Sequence, residues 1–88
     1  MFTAWGTETA KKFTAQEIES ALHCLDTGRY GIVLRAKGIV PNTDGSWIHF
    51  DYVPGEANVR SGGAAVTGKL CVIGAQLDEL AVGKLFGV

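Results

Sequence analysis

Two cysteines, two prolines and one methionine among 88 residues leave little material for several classes of protein. Cys24 and Cys71 are too few for a disulfide scaffold and suit a reducing compartment. An excess of charge of either sign is also missing. Eight basic residues against nine acidic ones give a net charge of −1, which offers no bulk attraction to nucleic acid or an anionic membrane. No apolar run approaches the roughly 18 residues of a membrane span. The N-terminus lacks the basic–apolar–small order of a secretory signal. Disorder is excluded from the other side, because 47% of the residues are apolar and only 19% are charged. At 9.3 kDa the chain, residues 1–88, is expected to be one domain. Surface scaling expects about 5,000 Å² of accessible area once it is folded. A soluble cytoplasmic domain is the expectation.

Of what is present, the clearest element begins at Thr14. Thr14-Ala15-Gln16-Glu17 has the spacing of a capping box, and Phe13 and Ile18 stand at the hydrophobic-staple positions around it. Ile18, Ala21, Leu22 and Leu25 recur with helical period, and Gly28 is placed for a left-handed cap, so a helix is expected over Ala15–Thr27. The period then shortens to two. Tyr30–Ala36 reads as a strand with Tyr30, Ile32, Leu34 and Ala36 on one face and Gly31, Val33, Arg35 and Lys37 on the other. Pro41–Gly45 is a turn cluster. Ser46–Val53 returns with Ile48, Phe50 and Tyr52 on one side and Trp47, His49, Asp51 and Val53 on the opposite one. After Pro54-Gly55 comes a short strand, Ala57–Arg60. Gly-rich Ser61–Gly68 is expected as a mobile loop, and Lys69–Ile73 as a buried strand. A closing helix over Asp78–Phe86 would use Leu77, Leu80, Ala81 and Leu85 as its apolar stripe, with Gly83 weakening it. Phe2–Thr7 reads as an opening strand.

The order β-α-β-β-β-β-α with hairpin-length connections predicts an α+β fold. A single mostly antiparallel sheet of four to five strands would carry both helices on one face. The other face would present Arg35, Lys37, Trp47 and Asp51. Trp47 and Val33 there are more apolar than solvent requires, which marks an interaction surface.

Chemical motifs are sparse. Gly63–Lys69 spells most of a P-loop, but Leu70 stands where the Mg²⁺-binding hydroxyl belongs and a strand follows where a helix is needed. His23, Cys24, His49 and Cys71 show no chelating spacing; at most Cys71 and His49 could meet across neighbouring strands, giving two ligands. There is no Gly-x-Ser-x-Gly elbow. Ser20–His23 and Ser46–His49 lack an orienting acid, and Asp51 with Glu56 is the one conceivable carboxylate pair. Arg35 and Lys37 would lie near Asp51 if the 41–45 turn is tight. No catalytic, cofactor or metal residue is expected, and the chain is not read as an enzyme.

The segment Arg35-Ala36-Lys37-Gly38, then Trp47 in an aromatic strand, then Val72-Ile73-Gly74 followed by Leu77, forms an ordered set. It resembles the C-terminal domain of the CobW family of GTP-dependent metallochaperones, over about Phe13–Phe86. The resemblance implies a domain that accompanies an N-terminal GTPase domain. That domain's P-loop and C-x-C-C metal motif, and the His-rich stretches of some members, are missing from this chain. It further implies a parent protein concerned with metal delivery, cobalamin biosynthesis or metalloenzyme activation. Implied partners are the GTPase domain of the same protein and a metalloprotein client, met through Arg35, Lys37, Trp47 and Asp51. Both a piece of a longer protein and a stand-alone gene fit Met1 opening into a strand. The rival is an independent α+β module for small-molecule binding or oligomerisation.

Overall fold

The computed structural model describes residues 2–88. Helix α1, Ala15–Cys24, starts on the expected capping box. The Thr14 hydroxyl accepts the Glu17 amide at 3.1 Å, and the Glu17 carboxylate accepts the Thr14 amide at 2.9 Å. Ile18, Ala21, Leu22 and Leu25 are buried, so the predicted stripe is the packed one. The helix is shorter than expected. From Leu25 to Thr27 it tightens into a 3₁₀ turn, which Gly28 closes in the left-handed region at φ 79°. Phe13 also pins the helix entry to the sheet. Its amide donates to the Pro41 carbonyl at 2.9 Å, and its carbonyl accepts from the Thr43 amide at 3.1 Å.

Five strands follow the predicted order: β1 Phe2–Thr9, β2 Ile32–Pro41, β3 Trp47–Val53, β4 Glu56–Gly62 and β5 Gly68–Ala75. They form one antiparallel sheet in the order β1-β5-β2-β3-β4. Helix α2, Glu79–Phe86, is capped by the Asp78 carboxylate, which accepts the Ala81 amide at 3.1 Å. The fold is α+β, with both helices over one sheet face. Accessible surface is 5107 Å², as scaling expects for this mass.

Three expectations are corrected. β2 starts later and runs longer than Tyr30–Ala36, and its register against β5 shifts between Val33 and Arg35. A bulge there adds a residue to one strand, so alternation breaks. Val33 and Ala36 are therefore both in the core, while Ile32 and Leu34 face away from it. Second, Val82 and Phe86 are the fully buried residues of α2; of the expected stripe Leu77 and Leu85 pack against the core, but Leu80 is 75% exposed. The aromatic core decides this phase. The Phe86 ring stacks on Trp5 at 6.1 Å and on Phe50 at 6.4 Å, joining β1 to β3 beneath the helix. Third, the Gly-rich loop is only residues 63–67, because Ser61 and Gly62 belong to β4 and Gly68 to β5.

Close packing explains two glycines in the recognisable motifs. A Cβ on Gly38 would stand 2.6 Å from both the Phe50 ring and the Lys69 carbonyl oxygen. Phe50 is the direct cross-strand partner of Gly38, and its ring occupies the room a side chain would take. At Gly74 the Ile32 carbonyl comes so near that no Cβ fits.

Candidate functional site

Alternation within each strand sends one set of residues under the helices and leaves the other on an open face. β3 is the regular case: Ile48, Phe50 and Tyr52 are buried, and Trp47, His49, Asp51 and Val53 point away, as predicted. Cross-strand register then builds rows over the open face. One row runs Gly6–Cys71–Lys37–Asp51–Asn58, and the next Glu8–Lys69–Ile39–His49–Arg60. All four predicted surface residues, Arg35, Lys37, Trp47 and Asp51, lie on this face.

They do not form one cluster. Asp51 is the centre of a charge group. Its carboxylate takes Arg60 Nη2 at 3.0 Å and Arg35 Nη2 at 3.8 Å, with Lys37 directly opposite in register. Trp47 stands opposite Pro41, four residues further along β3, roughly 13 Å away at strand rise. The charge group is solvated, with Asp51 40% exposed, so each pair contributes at most about 1 kcal/mol. Arg60 was not singled out from the sequence, yet it was within reach: the two-residue Pro54-Gly55 turn pairs Val53 with Glu56 and so puts Arg60 opposite His49.

The open face also carries a group of apolar residues, of which alternation had placed only Val53 there. Phe2 and Ile32, 69% and 60% exposed, flank Ala75 in one row, and Leu34, Val53 and Ile73 stand beside them. Five large exposed apolar side chains thus gather at the end of the face nearest Arg35. Val33, expected there, is in the core instead. The bulge exchanged Val33 for Leu34.

The other candidate chemistry is dispersed by the topology. β2 lies between β3 and β5, so His49 and Cys71 are not on neighbouring strands. His49 Nε2–H donates to the Gly63 carbonyl at 2.8 Å. Among the described residues no three His, Cys, Asp or Glu side chains come together as a metal site. Glu56 stands opposite Val53 and lines the same depression as Asp51, but the Asp51 carboxylate is taken by Arg60 and Arg35, so the two do not form a free carboxylate pair. The P-loop-like segment ends in β5, a strand. Among the described residues no helix is long and apolar enough to cross a membrane.

One half-buried contact ties the helical layer to the sheet. The Tyr52 hydroxyl donates to the Asp26 carboxylate, which also accepts the Gly55 amide at 2.9 Å. The Tyr52 and Gly55 hydrogen bonds hold the Asp26 carboxyl below its usual range. Burial first, and then Asp26, push the Tyr52 phenol well above its ordinary value.

The profile of the cobalamin synthesis protein cobW C-terminal domain matches residues 2–87. The chain belongs to the CobW C-terminal domain family. Its fold is shared with the Zn(II)-bound YjiA GTPase from E. coli, at a TM-score of 0.77 and 20% identity. A Zn(II)-bound triple mutant of the YjiA GTPase superposes at 0.78 and 19%. Each superposition covers 98% of this chain and 29% of the other, so this chain spans less than a third of those proteins. No curated protein matches it. In this CobW C-terminal domain the Arg-Ala-Lys-Gly run has a plain division of labour. Ala36 and Gly38 are small because they lie under the helices and the Phe50 ring, while Arg35 and Lys37 project from the open face.

Proposed function

We propose that this domain is the C-terminal accessory module of a CobW-type GTPase, without catalysis of its own, and that its open sheet face docks on the GTPase domain of the same protein. The family match over nearly the whole chain carries the proposal. The surface chemistry supports it. A row of exposed apolar residues, Phe2, Ile32, Leu34, Val53 and Ile73, borders Arg35 and Lys37, and arginine beside apolar area is favoured at interface centres. The parent protein would serve metal delivery, cobalamin biosynthesis or metalloenzyme activation in the cytoplasm, and the domain would couple nucleotide state to that delivery. A metalloprotein client is the second partner this face could take.

Arg35→Ala tests the assignment. Arg35 is exposed and its pair with Asp51 is long, so folding stability should stay within about 0.5 kcal/mol. Association with the separately expressed GTPase domain, measured by calorimetry, should weaken several-fold. Unfolding of the variant, or unchanged association, would show that another face is used.

A further inference from the structure

We propose that a second copy of this chain adds to the free edge of β1, joining the two sheets and setting α2 against α2 of the partner copy. The surface is separate from the open face and does not depend on its role. Among the described residues β1 pairs only with β5, so its outer row of backbone amides and carbonyls lacks a strand partner. Edge strands are normally guarded by proline, a bulge or charged side chains, lysine above all. β1 has no proline, bulge or lysine. All eight residues from Phe2 to Thr9 pair with β5 in unbroken register, and Glu8 is the one charged residue among them. The opposite edge is different, since β4 carries Glu56 and Arg60 and has α1 packed against it.

Beside β1 runs a groove of about 480 Å³, with Trp5, Gly6 and Thr7 on one side and Glu79, Leu80, Gly83 and Lys84 of α2 on the other. Leu80 is 75% exposed on its wall. Gly83 lies on the helix side of the groove, where its open side is met by Trp5 and the chain's own Val88, which also lines the groove. A Cβ would meet only the Val88 carbonyl at 3.6 Å and the Trp5 ring at 3.8 Å, which is ordinary contact.

Charge chooses the occupant. Gly83 lies level with Trp5, so the middle of α2 sits beside the middle of β1. In antiparallel pairing, residues directly opposite share a face, so a twofold axis at Trp5 or Gly6 keeps both helices on the same side of the joined sheet. The same axis runs α2 antiparallel to its copy, bringing Glu79 toward the partner copy's Lys84 and Lys84 toward its Glu79. Glu79 and Lys84 line the groove, and neither takes part in an ion pair within the described chain. The face is thus complementary to itself, which is the requirement of an isologous dimer.

Sedimentation equilibrium of the 88-residue chain, with light scattering, tests this. A mass rising with concentration toward twice the 9.3 kDa protomer is expected. Leu80→Glu should weaken the dimer roughly tenfold or more, with its circular dichroism melt unchanged at concentrations low enough that both proteins are monomeric. Lys84→Glu should also weaken it, and Glu79→Lys combined with Lys84→Glu should restore it, because the swap re-forms both pairs. A chain monomeric at all concentrations overturns the proposal. So does a dimer indifferent to Leu80→Glu and Lys84→Glu. A monomer whose β1 amides become protected from hydrogen exchange only within a longer parent protein would give the edge to another segment of that protein and overturn it as well.

Discussion

Replacing Gly38 with alanine adds one methyl group at the tightest point of the recognisable motif. The new carbon would stand 2.6 Å from two atoms of the Phe50 ring and 2.6 Å from the Lys69 carbonyl oxygen. Neither can retreat cheaply. The Lys69 carbonyl is backbone in β5, on the strand bonded to β2. Phe50 is buried and stacked on Phe86, which is stacked in turn on Trp5, so moving the ring disturbs three aromatics. Overpacking of this kind costs about 1–3 kcal/mol, and two rigid obstacles place it in the upper half of that range. Alanine recovers about 0.5–1 kcal/mol by lowering the entropy of the unfolded chain. The net loss should be about 1–2.5 kcal/mol, which for a domain of this size lowers Tm by roughly 4–20 °C. Gly63→Ala is the control. It is a loop glycine with nothing within 4 Å of its Cβ position, and it should match or slightly exceed wild type. Urea melts of both variants measure the difference. In a Phe50→Leu background the Gly38 substitution should cost less, since one of the two obstacles is smaller. A Gly38→Ala protein as stable as Gly63→Ala would refute the close approach of ring and strand.

Stability should depend on pH through the Asp26–Tyr52 contact. Asp26 titrates lower folded than unfolded, so its contribution is present above about pH 4 and is lost as pH falls through the depressed value. Tyr52 titrates higher folded than unfolded; its contribution is complete below about pH 10 and fades as pH rises beyond it. Tyr52→Phe should flatten both limbs in melts at about pH 3–11, and an unchanged profile would mean the pair does not couple helix to sheet. GTP with Mg²⁺ should give no calorimetric binding, because the Gly63–Lys69 segment leads into a strand and offers no helix N-terminus to phosphate; micromolar affinity would overturn this. Zn²⁺ or Co²⁺ should bind weakly, since β2 separates His49 from Cys71. Stoichiometric Co²⁺ binding with a thiolate charge-transfer band, lost in Cys71→Ser, would show that the ligands converge.

Local chemistry makes part of this protein legible in its residue order alone. The capping box at Thr14 involves residues three apart, and the stripe from Ile18 to Leu25 needs only helical period, so α1 and its buried face follow from neighbours in the chain. β3 is equally readable: seven residues alternate without interruption, and Trp47, His49, Asp51 and Val53 fall on the outer face as their spacing dictates. Lys37 and Asp51 come together because a short turn joins their strands.

The remainder is decided by contacts between distant segments. One extra residue at the bulge in β2 exchanges the faces of Val33 and Leu34, and alternation alone has no means of announcing an insertion whose cause lies in pairing with β5, some forty residues away. The phase of α2 follows the Phe86 ring into its place between Trp5 and Phe50, which puts Leu80 outside although its spacing suits either side. Strand order has the same character. β5 sits between β1 and β2, and that non-local choice parts Cys71 from His49 and leaves β1 with one edge unpaired among the described residues. Sequence determined which segments are helix or strand, because those preferences are set within a few residues; tertiary packing determined which faces and edges remained open, because that depends on which segments are neighbours in space.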